Sequence, residues 1–387
     1  MSLFTESEER TELRKAVRAF AKSWGQDYFT GKARAGEKTT DLWLALGKNG
    51  YLGVNLPEEY GGGGGGLGDV AAVCEELAAQ GCPMLLMVVS PAICGTVIAR
   101  FGTEEQKQRW LPGIADGTET MAFAITEPDA GSNSHRITTT ARRDGTDWIL
   151  KGRKIYISGV DESTHVLVVA RTEDHKTGNL KPCLFVVPTD APGFEYQPIP
   201  MELVSPEQQF TVFIDDVRLP ADALVGDEDA GIIQLFAGLN PERIMAASFA
   251  TGVARLALEK ATAYAKERSV FRDTPIGAHQ AIAHPLAQAH IEIEMARLMT
   301  QKAAALLDAG DDMGAGEAAN MAKYASAEAA CNAVDRAVQT LGGNGVTQEY
   351  GVAALLVATR VMRIAPVSKE MILNFVAMHS LGLPKSY

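Results

Sequence analysis

Residues 121–159 read MAFAITEPDAGSNSHRITTTARRDGTDWILKGRKIYISG, and this stretch decides how the rest of the chain is interpreted. An apolar run ends at Ile125-Thr126-Glu127-Pro128, and the small residues Ala130-Gly131-Ser132 follow, where another group could approach the backbone closely. A β-hairpin is predicted next, with Asp144-Gly145 at its turn, because Asp-Gly accepts the positive φ angles of a type I′ turn. The returning strand runs through 151–159, so a β-region starts near residue 120.

The chain divides into three parts by the period of its apolar residues. Apolar runs of strand length at 166–170 and 183–187 continue the β-region to about residue 230. Residues 1–119 and 231–387 instead have the spacing and composition of helices. This order of helices, strands and helices predicts an α+β chain with segregated domains rather than an alternating parallel sheet.

The N-terminal part contains three helix signals and one unusual loop. Ser7 opens a stretch with apolar residues on one face, a helix is predicted over 70–79, and Thr103 is a capping-type helix start. Between the first and last of these stand six consecutive glycines, 61–66, which cannot hold regular structure without a large entropic cost. No Gly-Lys-Ser/Thr ending accompanies them, so we interpret the run as a mobile surface loop rather than a phosphate-binding loop.

Composition excludes several classes of protein. The chain has 387 residues and a formal net charge of −12, which argues against binding to nucleic acid or to an anionic membrane surface. Its five cysteines are scattered without metal-ligand spacing, so reduced core thiols and no metal site are expected. No stretch is apolar enough to span a bilayer, and the acidic N-terminus lacks the features of a signal peptide. A cytoplasmic protein is predicted, with a matrix enzyme that has lost its transit peptide as the alternative.

The β-region quoted above resembles the acyl-CoA dehydrogenase family, flavoenzymes that place FAD against such a segment. Two further family landmarks match, LPEEYGG at 56–62 and FIDDVRLP at 213–220, and the likeness extends along nearly the whole chain. The resemblance implies an N-terminal helical domain (1–119), a middle β-sandwich or β-barrel domain (120–230) and a C-terminal four-helix-bundle domain (231–387).

The resemblance also implies which residues hold FAD. Matches to the family's flavin strand, aromatic motif, inter-subunit block and glycine turn occur in family order. Taken singly, each has an ordinary structural explanation, such as a helix C-cap for the glycine turn. The implied cofactor residues are Phe123, Ile125, Thr126, Ser132, Tyr156, Ile157, Ser158, Arg268, Phe271, Gln280, Gln339, Gly342, Gly343, Ser368 and Glu370. The block containing Arg268, Phe271 and Gln280 would reach FAD from a neighbouring subunit, so a homo-oligomer built as a dimer of dimers is expected.

The reaction-centre segment departs from the usual family form. In many members a glutamate near the C-terminus removes the substrate α-proton, but the alignment places Pro366 there, and proline cannot act as a base. Other members carry the base on another helix at a position that Glu242 matches, so Glu242 is the predicted catalytic base. Asn240 is predicted as N-cap with Pro241 at the first helical position, which puts Glu242 in the first turn. The structural alternative is a glutamate that only favours a helix N-terminus. Glu370 lies beyond the reaction centre and is not chosen as the base.

The surroundings of Glu242 should tune it for proton transfer. Desolvation by an acyl chain is expected to raise the pKa of Glu242 against the helix dipole, which would give a usable base near neutral pH. The resemblance further implies substrate contacts from Ser132, Asn240 and Arg243.

Together these matches predict an FAD-dependent acyl-CoA dehydrogenase that forms the enoyl-CoA and passes electrons to an electron-transfer flavoprotein. Pro366 lacks the N–H that the family offers to the thioester oxygen, and Val357-Ala358 and residues 201–206 also depart from the family pattern. Two alternatives therefore stay open. One is a flavin-linked enoyl-CoA reductase or an oxygen-using oxidase or monooxygenase on the same fold, and the other is a non-catalytic FAD-binding subunit.

Overall fold

The computed structural model describes residues 6–173, 178–271 and 273–385. The N-terminal helices are α1 (Glu8–Lys22), α2 (Gly25–Ala35), α3 (Thr40–Lys48), α4 (Leu67–Ala79), α5 (Leu85–Met87), α6 (Thr96–Phe101) and α7 (Glu104–Asp116), with a π-helical segment, Val88–Gly95, between α5 and α6. The middle strands are β1 (Met121–Ala124), β2 (Thr140–Asp144), β3 (Asp147–Ser158), β4 (His165–Glu173), β5 (Leu180–Pro188), β6 (Phe194–Ile199), β7 (Gln209–Leu219) and β8 (Leu224–Val225). The C-terminal elements are α8 (Gly231–Glu267), β9 (Ser269–Phe271), β10 (Thr274–Pro275), α9 (Gln280–Asp308), α10 (Asp312–Leu341), α11 (Ala354–Ile364) and α12 (Lys369–Phe375).

Helices α1 and α7 begin at residues whose side chains cap the helix. At α1 the Ser7 side chain accepts a hydrogen bond of 3.2 Å from the Arg10 N–H. At α7 the Thr103 hydroxyl accepts from the Gln106 N–H, while the Gln106 side chain accepts from the Thr103 N–H, which makes a capping box. The predicted helix starts at Ser7 and Thr103 are therefore confirmed. The helix predicted over 70–79 is confirmed as α4, which begins earlier, at Leu67.

The glycine run at 61–66 is a hydrogen-bonded element and not the mobile loop expected. The N–H groups of residues 62–65 all donate to backbone carbonyls of residues 53–57. A Cβ on Gly62 would lie 2.1 Å from the Leu56 carbonyl oxygen, so the absence of side chains is what allows this close approach. The entropic cost of ordering glycine is offset here by these backbone hydrogen bonds.

The middle strands form one eight-stranded sheet in the order β6-β7-β3-β2-β4-β5-β8, with β1 paired in parallel to β4. The predicted hairpin is confirmed as β2 and β3, in which Asp144 pairs with Asp147. Its turn differs from the prediction, because the two central residues are Gly145 and Thr146 and only Gly145 has a positive φ, of 64°. A type I′ turn needs positive φ at both central positions, so that prediction is wrong.

The long helices α8, α9 and α10 pack together with α11 into the C-terminal bundle, which confirms the predicted α+β fold class with its helical bundle. Small side chains let these helices approach one another closely. Buried alanines of this core include Ala254, Ala257, Ala289, Ala330 and Ala333.

Helix α8 continues without interruption through Pro241, so the predicted N-cap at Asn240 is wrong. The physical reason is packing: a Cβ on Gly238 would lie 3.1 Å from methyl carbons of Ile93 and Val97, which shows how closely this turn lies against the N-terminal helices. Tertiary contacts thus outweigh the local Asn-Pro signal. Glu242 lies in the helix interior as a result, beyond the first turn, to which the dipole effect is confined.

A buried cluster of arginines and glutamates ties the N-terminal helices to the bundle. Glu75 on α4 meets Arg14 of α1 at 2.9 Å, Arg255 of α8 at 2.6 Å and Arg297 of α9 at 2.7 Å. Glu76 also contacts Arg14 and Arg255, at 3.2 and 2.9 Å. Because both glutamates are buried, these multiple partners are what make their burial tolerable.

The five cysteines are free thiols, and all but Cys331 are buried. Within the three described ranges, none of the helices combines the length and the apolar composition needed to cross a bilayer.

Candidate active site

A bulge in β3 presents Tyr156 beside the segment that follows β1 and carries Thr126. The Ile155 N–H donates to the Thr126 carbonyl at 3.0 Å, so the two predicted flavin segments are brought together. The register of β3 against β7 shifts between Lys154 and Ile157, and Tyr156 has a φ of 58°. A positive φ is unfavourable for an aromatic residue, and the Tyr156 side chain is 56% exposed.

A buried ion pair lies next to this bulge and holds the segment that carries Thr126. The Lys154 ammonium, fully buried, contacts Glu127 at 3.0 Å and donates to the Ile125 carbonyl at 3.0 Å. Glu127 also accepts hydrogen bonds from the backbone and hydroxyls of Thr138 and Thr139. Burial opposes the ionisation of Glu127, but Lys154 and these donors outweigh it and lower the pKa of Glu127 to about 2. The backbone next to Thr126 is therefore held by an ionised carboxylate, while burial lowers the pKa of its partner Lys154 to about 8.

The other predicted flavin residues of the β-region differ in exposure. Ser132 is exposed, Ile125 is partly buried, and Phe123 lies in the core shared with the helices. Ser158 donates its hydroxyl to the Gln209 side chain at 2.9 Å. Ile157 is only 2% exposed and packs into the core of the sheet, so its side chain is not available to a cofactor.

A second group of predicted flavin residues lies at one end of the bundle. Tyr264 near the end of α8 links the two segments concerned, since its carbonyl accepts from the Arg268 N–H and its hydroxyl accepts from the Asn344 side chain at 3.2 Å. The exposed members of this group are Arg268, Phe271, Gln280, Gln339, Gly342 and Gly343. In the part of the chain that the structure describes, no hydrogen bond joins this group to the group around Thr126.

The connection between α11 and α12 carries the remaining predicted residues. Ser368 is the N-cap of α12 and accepts from the Met371 N–H at 3.3 Å. Glu370 stands exposed in the first turn of α12, and Pro366 is exposed in the connection itself. Ser368 thus has a structural role that is sufficient to explain it.

Glu242 projects from α8 into a region with few polar partners. The carboxylate makes no hydrogen bond and no ion pair with any residue that the structure describes. Burial raises the pKa of Glu242 to about 7, while the charges of Arg243 and Lys323 act in the opposite direction. The predicted effect of desolvation is therefore already present in the protein alone, without an acyl chain.

The polar neighbours of Glu242 on α8 have some, but not all, of their hydrogen bonds made within the protein. Arg243 donates to the Leu239 carbonyl at 3.0 Å and to the Asn240 side chain at 3.3 Å, but its Nε is buried without a hydrogen-bond partner. Asn240 donates to the Asp312 carbonyl at 3.4 Å. A buried N–H without an acceptor is costly, so Arg243 is a residue to which a bound group could add a hydrogen bond.

Two further residues face Glu242 that the sequence analysis missed. Lys323 of α10 is 2% exposed, and its ammonium donates to the Val367 carbonyl in the α11–α12 connection. The Cys94 thiol is also buried, and its pKa is raised by burial and then by the charge of Glu242. The one sequence signal for Lys323 was a lysine in an alanine-rich helical stretch, where a charge on the buried face is unusual.

The described residues fit a large bound cofactor better than a metal. Across residues 6–173, 178–271 and 273–385, no group of three or more histidines, cysteines or acidic residues could hold a metal ion. An exposed aromatic side chain at Tyr156 offers a face for a ring. A Cβ on Gly342 or Gly343 would meet nothing within 4 Å, so their backbone is open to an approaching group.

Comparison with known proteins identifies the family to which these features belong. Residues 7–118, 122–217 and 229–381 match the models of the N-terminal, middle and C-terminal domains of acyl-CoA dehydrogenase. The acyl-CoA dehydrogenase FadE12 of Mycobacterium tuberculosis is 68% identical over 384 residues, which are 99% of each chain. A 3-(aryl)acrylate reductase of Clostridium sporogenes is 31% identical over 376 residues, covering 95% of this chain and 96% of the reductase.

Solved structures share the fold over nearly the whole chain. A glutaryl-CoA dehydrogenase in complex with glutaryl-CoA superposes with a TM-score of 0.94 at 29% identity, covering 99% of this chain and 98% of that one. A glutaryl-CoA dehydrogenase of Mycobacterium smegmatis in complex with FADH2 gives 0.90 at 29% identity, covering 99% and 96%. On the agreement of all three domain models and of these relatives, the chain belongs to the acyl-CoA dehydrogenase family and is an oxidoreductase whose cofactor is FAD.

Proposed function

We propose that this enzyme removes two hydrogens from the α and β carbons of an acyl-CoA thioester, with Glu242 as the base. The observation that carries the proposal is the Glu242 carboxylate itself, which is half-buried, makes no hydrogen bond or ion pair with the described residues, and has a pKa raised to about 7. A general base works best when its pKa lies near the operating pH. The structural alternative is a glutamate paired with a neighbouring cation, and no ion pair of Glu242 occurs among the described residues.

Each group of site residues then has its own proposed role in the reaction. FAD, when bound, supplies the acceptor for the hydride from the β carbon. Glu242 takes the proton from the carbon next to the thioester carbonyl. Arg243, with its unpaired Nε, and Asn240 would orient the CoA portion together with Ser132. The aromatic face of Tyr156 and the segment that follows β1, with Thr126, would hold the flavin ring.

The proposal includes an assembly. Arg268, Phe271 and Gln280 are exposed and share no hydrogen bond with the Thr126 group among the described residues, which supports a second subunit completing each FAD site. We propose a homotetramer built as a dimer of dimers, with domain ranges 1–119, 120–230 and 231–387, and electron transfer to an electron-transfer flavoprotein. A cytoplasmic role in fatty acid metabolism is in keeping with the free thiols.

The deciding experiment is a screen of CoA thioesters for anaerobic bleaching of the flavin absorbance. The purified protein should be yellow, and at least one saturated acyl-CoA should bleach it within a single turnover. Free CoA and the matching enoyl-CoA serve as controls, since neither can donate the two hydrogens. A yellow protein that no acyl-CoA bleaches would contradict the proposal.

A second candidate function is the reverse reaction, reduction of an enoyl-CoA-like substrate. Pro366 offers no N–H at the position where the family holds the thioester oxygen, and a reductase is among the relatives. Dithionite-reduced enzyme that is reoxidised rapidly by an enoyl-CoA, together with slow bleaching by every acyl-CoA, would favour it. Rapid oxidation of the reduced, ligand-bound flavin by O2 would instead favour an oxidase or monooxygenase. An enzyme inert in all three assays would be a non-catalytic subunit.

A further inference from the structure

Lys323 is a buried amine with one hydrogen bond, and that bond reaches the reaction centre. It lies on α10 and is 2% exposed. Its ammonium donates to the carbonyl of Val367, directly after the proline that replaces the usual family base. Burying an ammonium is costly unless its charge and donors are compensated. A lysine placed here purely for packing would be worse than a methionine of similar volume.

Helix α10 also holds both ends of the same connection. Glu328, on α10, meets Arg363 at 2.9 Å and Lys369 at 3.3 Å, on either side of residues 364–368. Lys323 contacts Val367 within this segment. The connection between α11 and α12 is therefore fixed to α10 at three points. The outer two are ion pairs of Glu328, and the one between them is the hydrogen bond from Lys323.

The charges around Lys323 come from three helices. Arg243 and Glu242 face it from α8, Glu370 from α12, and Glu328 from α10 itself. Burial, followed by Arg243, lowers the pKa of Lys323 to about 8, so the amine is still largely protonated at pH 7. Two cations lower the pKa of Glu242, Arg243 and Lys323. The Arg243 guanidinium donates to Leu239 and Asn240.

We propose that Lys323 is a positioning residue of the dehydrogenation: its ammonium fixes the 364–368 connection through the Val367 carbonyl and supplies the positive charge opposite the Glu242 carboxylate. This inference rests on the proposed function. It gives the lysine two separable roles, one as a hydrogen-bond donor and one as a charge.

Three substitutions separate these roles. Lys323→Arg keeps donor and charge, Lys323→Gln keeps a donor without charge, and Lys323→Met has neither. Lys302→Met on α9 is the matched control, because Lys302 is exposed and takes no part in the site.

The charge is measured by the pH dependence of flavin reduction in a single turnover. Losing a nearby positive charge favours the protonated form of Glu242, so the acid limb should move to higher pH by about one unit in Lys323→Gln and Lys323→Met. Lys323→Arg and Lys302→Met should keep the wild-type limb. An unmoved limb in both uncharged variants would overturn the electrostatic role.

The donor role has a readout that does not depend on turnover. Trypsin cleaves after Arg363 and Lys369, which flank the connection. The rate of cleavage there, in protein of equal flavin content, should rise in Lys323→Met and stay near wild type in Lys323→Gln. Equal rates in all variants would overturn the positioning role.

If no acyl-CoA bleaches the wild type, the proposed function fails, while the cleavage rates still decide whether Lys323 fixes the connection. Should Lys323→Met not fold, Lys323→Gln against Lys323→Arg decides the charge role, and Lys323→Leu, which also lacks a donor, takes its place in the cleavage assay. A Lys323→Leu protein that is cleaved no faster than Lys323→Gln would overturn the donor role.

Discussion

Replacing Glu242 with glutamine should change catalysis and stability in opposite directions. The carboxylate has a pKa near 7 in the folded protein against 4.5 for an ordinary glutamate. At about 1.4 kcal/mol for each pH unit, this difference amounts to about 3 kcal/mol of unfavourable free energy for keeping the ionised group in place. Glutamine has nearly the same shape and no charge, so Glu242→Gln should remove that cost and also remove the base.

The pH dependence fixes the sign of the stability effect. Below pH 4.5 the group is protonated in both folded and unfolded chains, and no penalty arises. As the pH rises, the unfolded chain ionises first, so the folded state loses relative stability until the folded group also ionises above pH 7. Glu242→Gln should therefore exceed the wild type in free energy of unfolding by up to about 3 kcal/mol at pH 8, and by little at pH 4.5.

Two assays on the same preparations test this reasoning. Urea unfolding at pH 4.5 and pH 8, with flavin content matched, measures stability, and single-turnover bleaching measures catalysis. Bleaching should slow by roughly 10²–10⁴-fold or more, because a positioned base is lost. Glu370→Gln is the control, since Glu370 is exposed and should change neither quantity much. A destabilised Glu242→Gln that bleaches at a near-normal rate would show that Glu242 is structural, and a bleaching loss in Glu370→Gln would move the base to α12.

Three other predictions concern the cofactor, the glycine run and the substrate carbonyl. Arg268→Ala should lose FAD and assembly together, as measured by sizing chromatography with flavin quantitation; full retention of both would make Arg268 a surface charge only. Gly62→Ala should cost about 1–3 kcal/mol of stability, because its Cβ would meet a backbone oxygen at 2.1 Å, whereas Gly31→Ala in α2, with open space around it, should not destabilise the protein in urea unfolding; equal effects would contradict the packing argument. In a ligand-bound structure the thioester oxygen should be held by an FAD ribityl hydroxyl and by a donor other than Pro366 or Ala365, since the Ala365 N–H already donates to a helix carbonyl at 2.8 Å; finding Ala365 as the donor would shift our alignment by one residue.

The features that the sequence predicted well are local ones. Capping at Ser7 and Thr103 depends on groups three residues apart, and a two-residue hairpin depends on a short pattern, so both are visible in the chain itself. The flavin segments could be found because each is a short motif in family order. The exact turn type failed because the pattern Asp-Gly-Thr fits more than one alignment of the strands.

The features that it missed depend on contacts far apart in sequence. The Asn240-Pro241 signal for a helix start was overruled by packing of α8 against helices more than a hundred residues earlier. Lys323 acquires its role only because α10 brings it to a carbonyl 44 residues further along the chain. The glycine run looked disordered because the carbonyls that hold it belong to a segment without a pattern of its own.

The continuity of α8 through residue 242 bears on which acyl groups the enzyme can accept. A base carried by a short connection could move toward its substrate, but Glu242, the proposed base, can move only together with a packed helix of 37 residues. The reach of the carboxylate is then limited to the rotations of its own side chain. With Glu242 as the proposed base, the acyl group would have to bring its α-hydrogen to a fixed point, so we expect selectivity to be steepest for branching at the α-carbon and more relaxed toward the distal end of the chain.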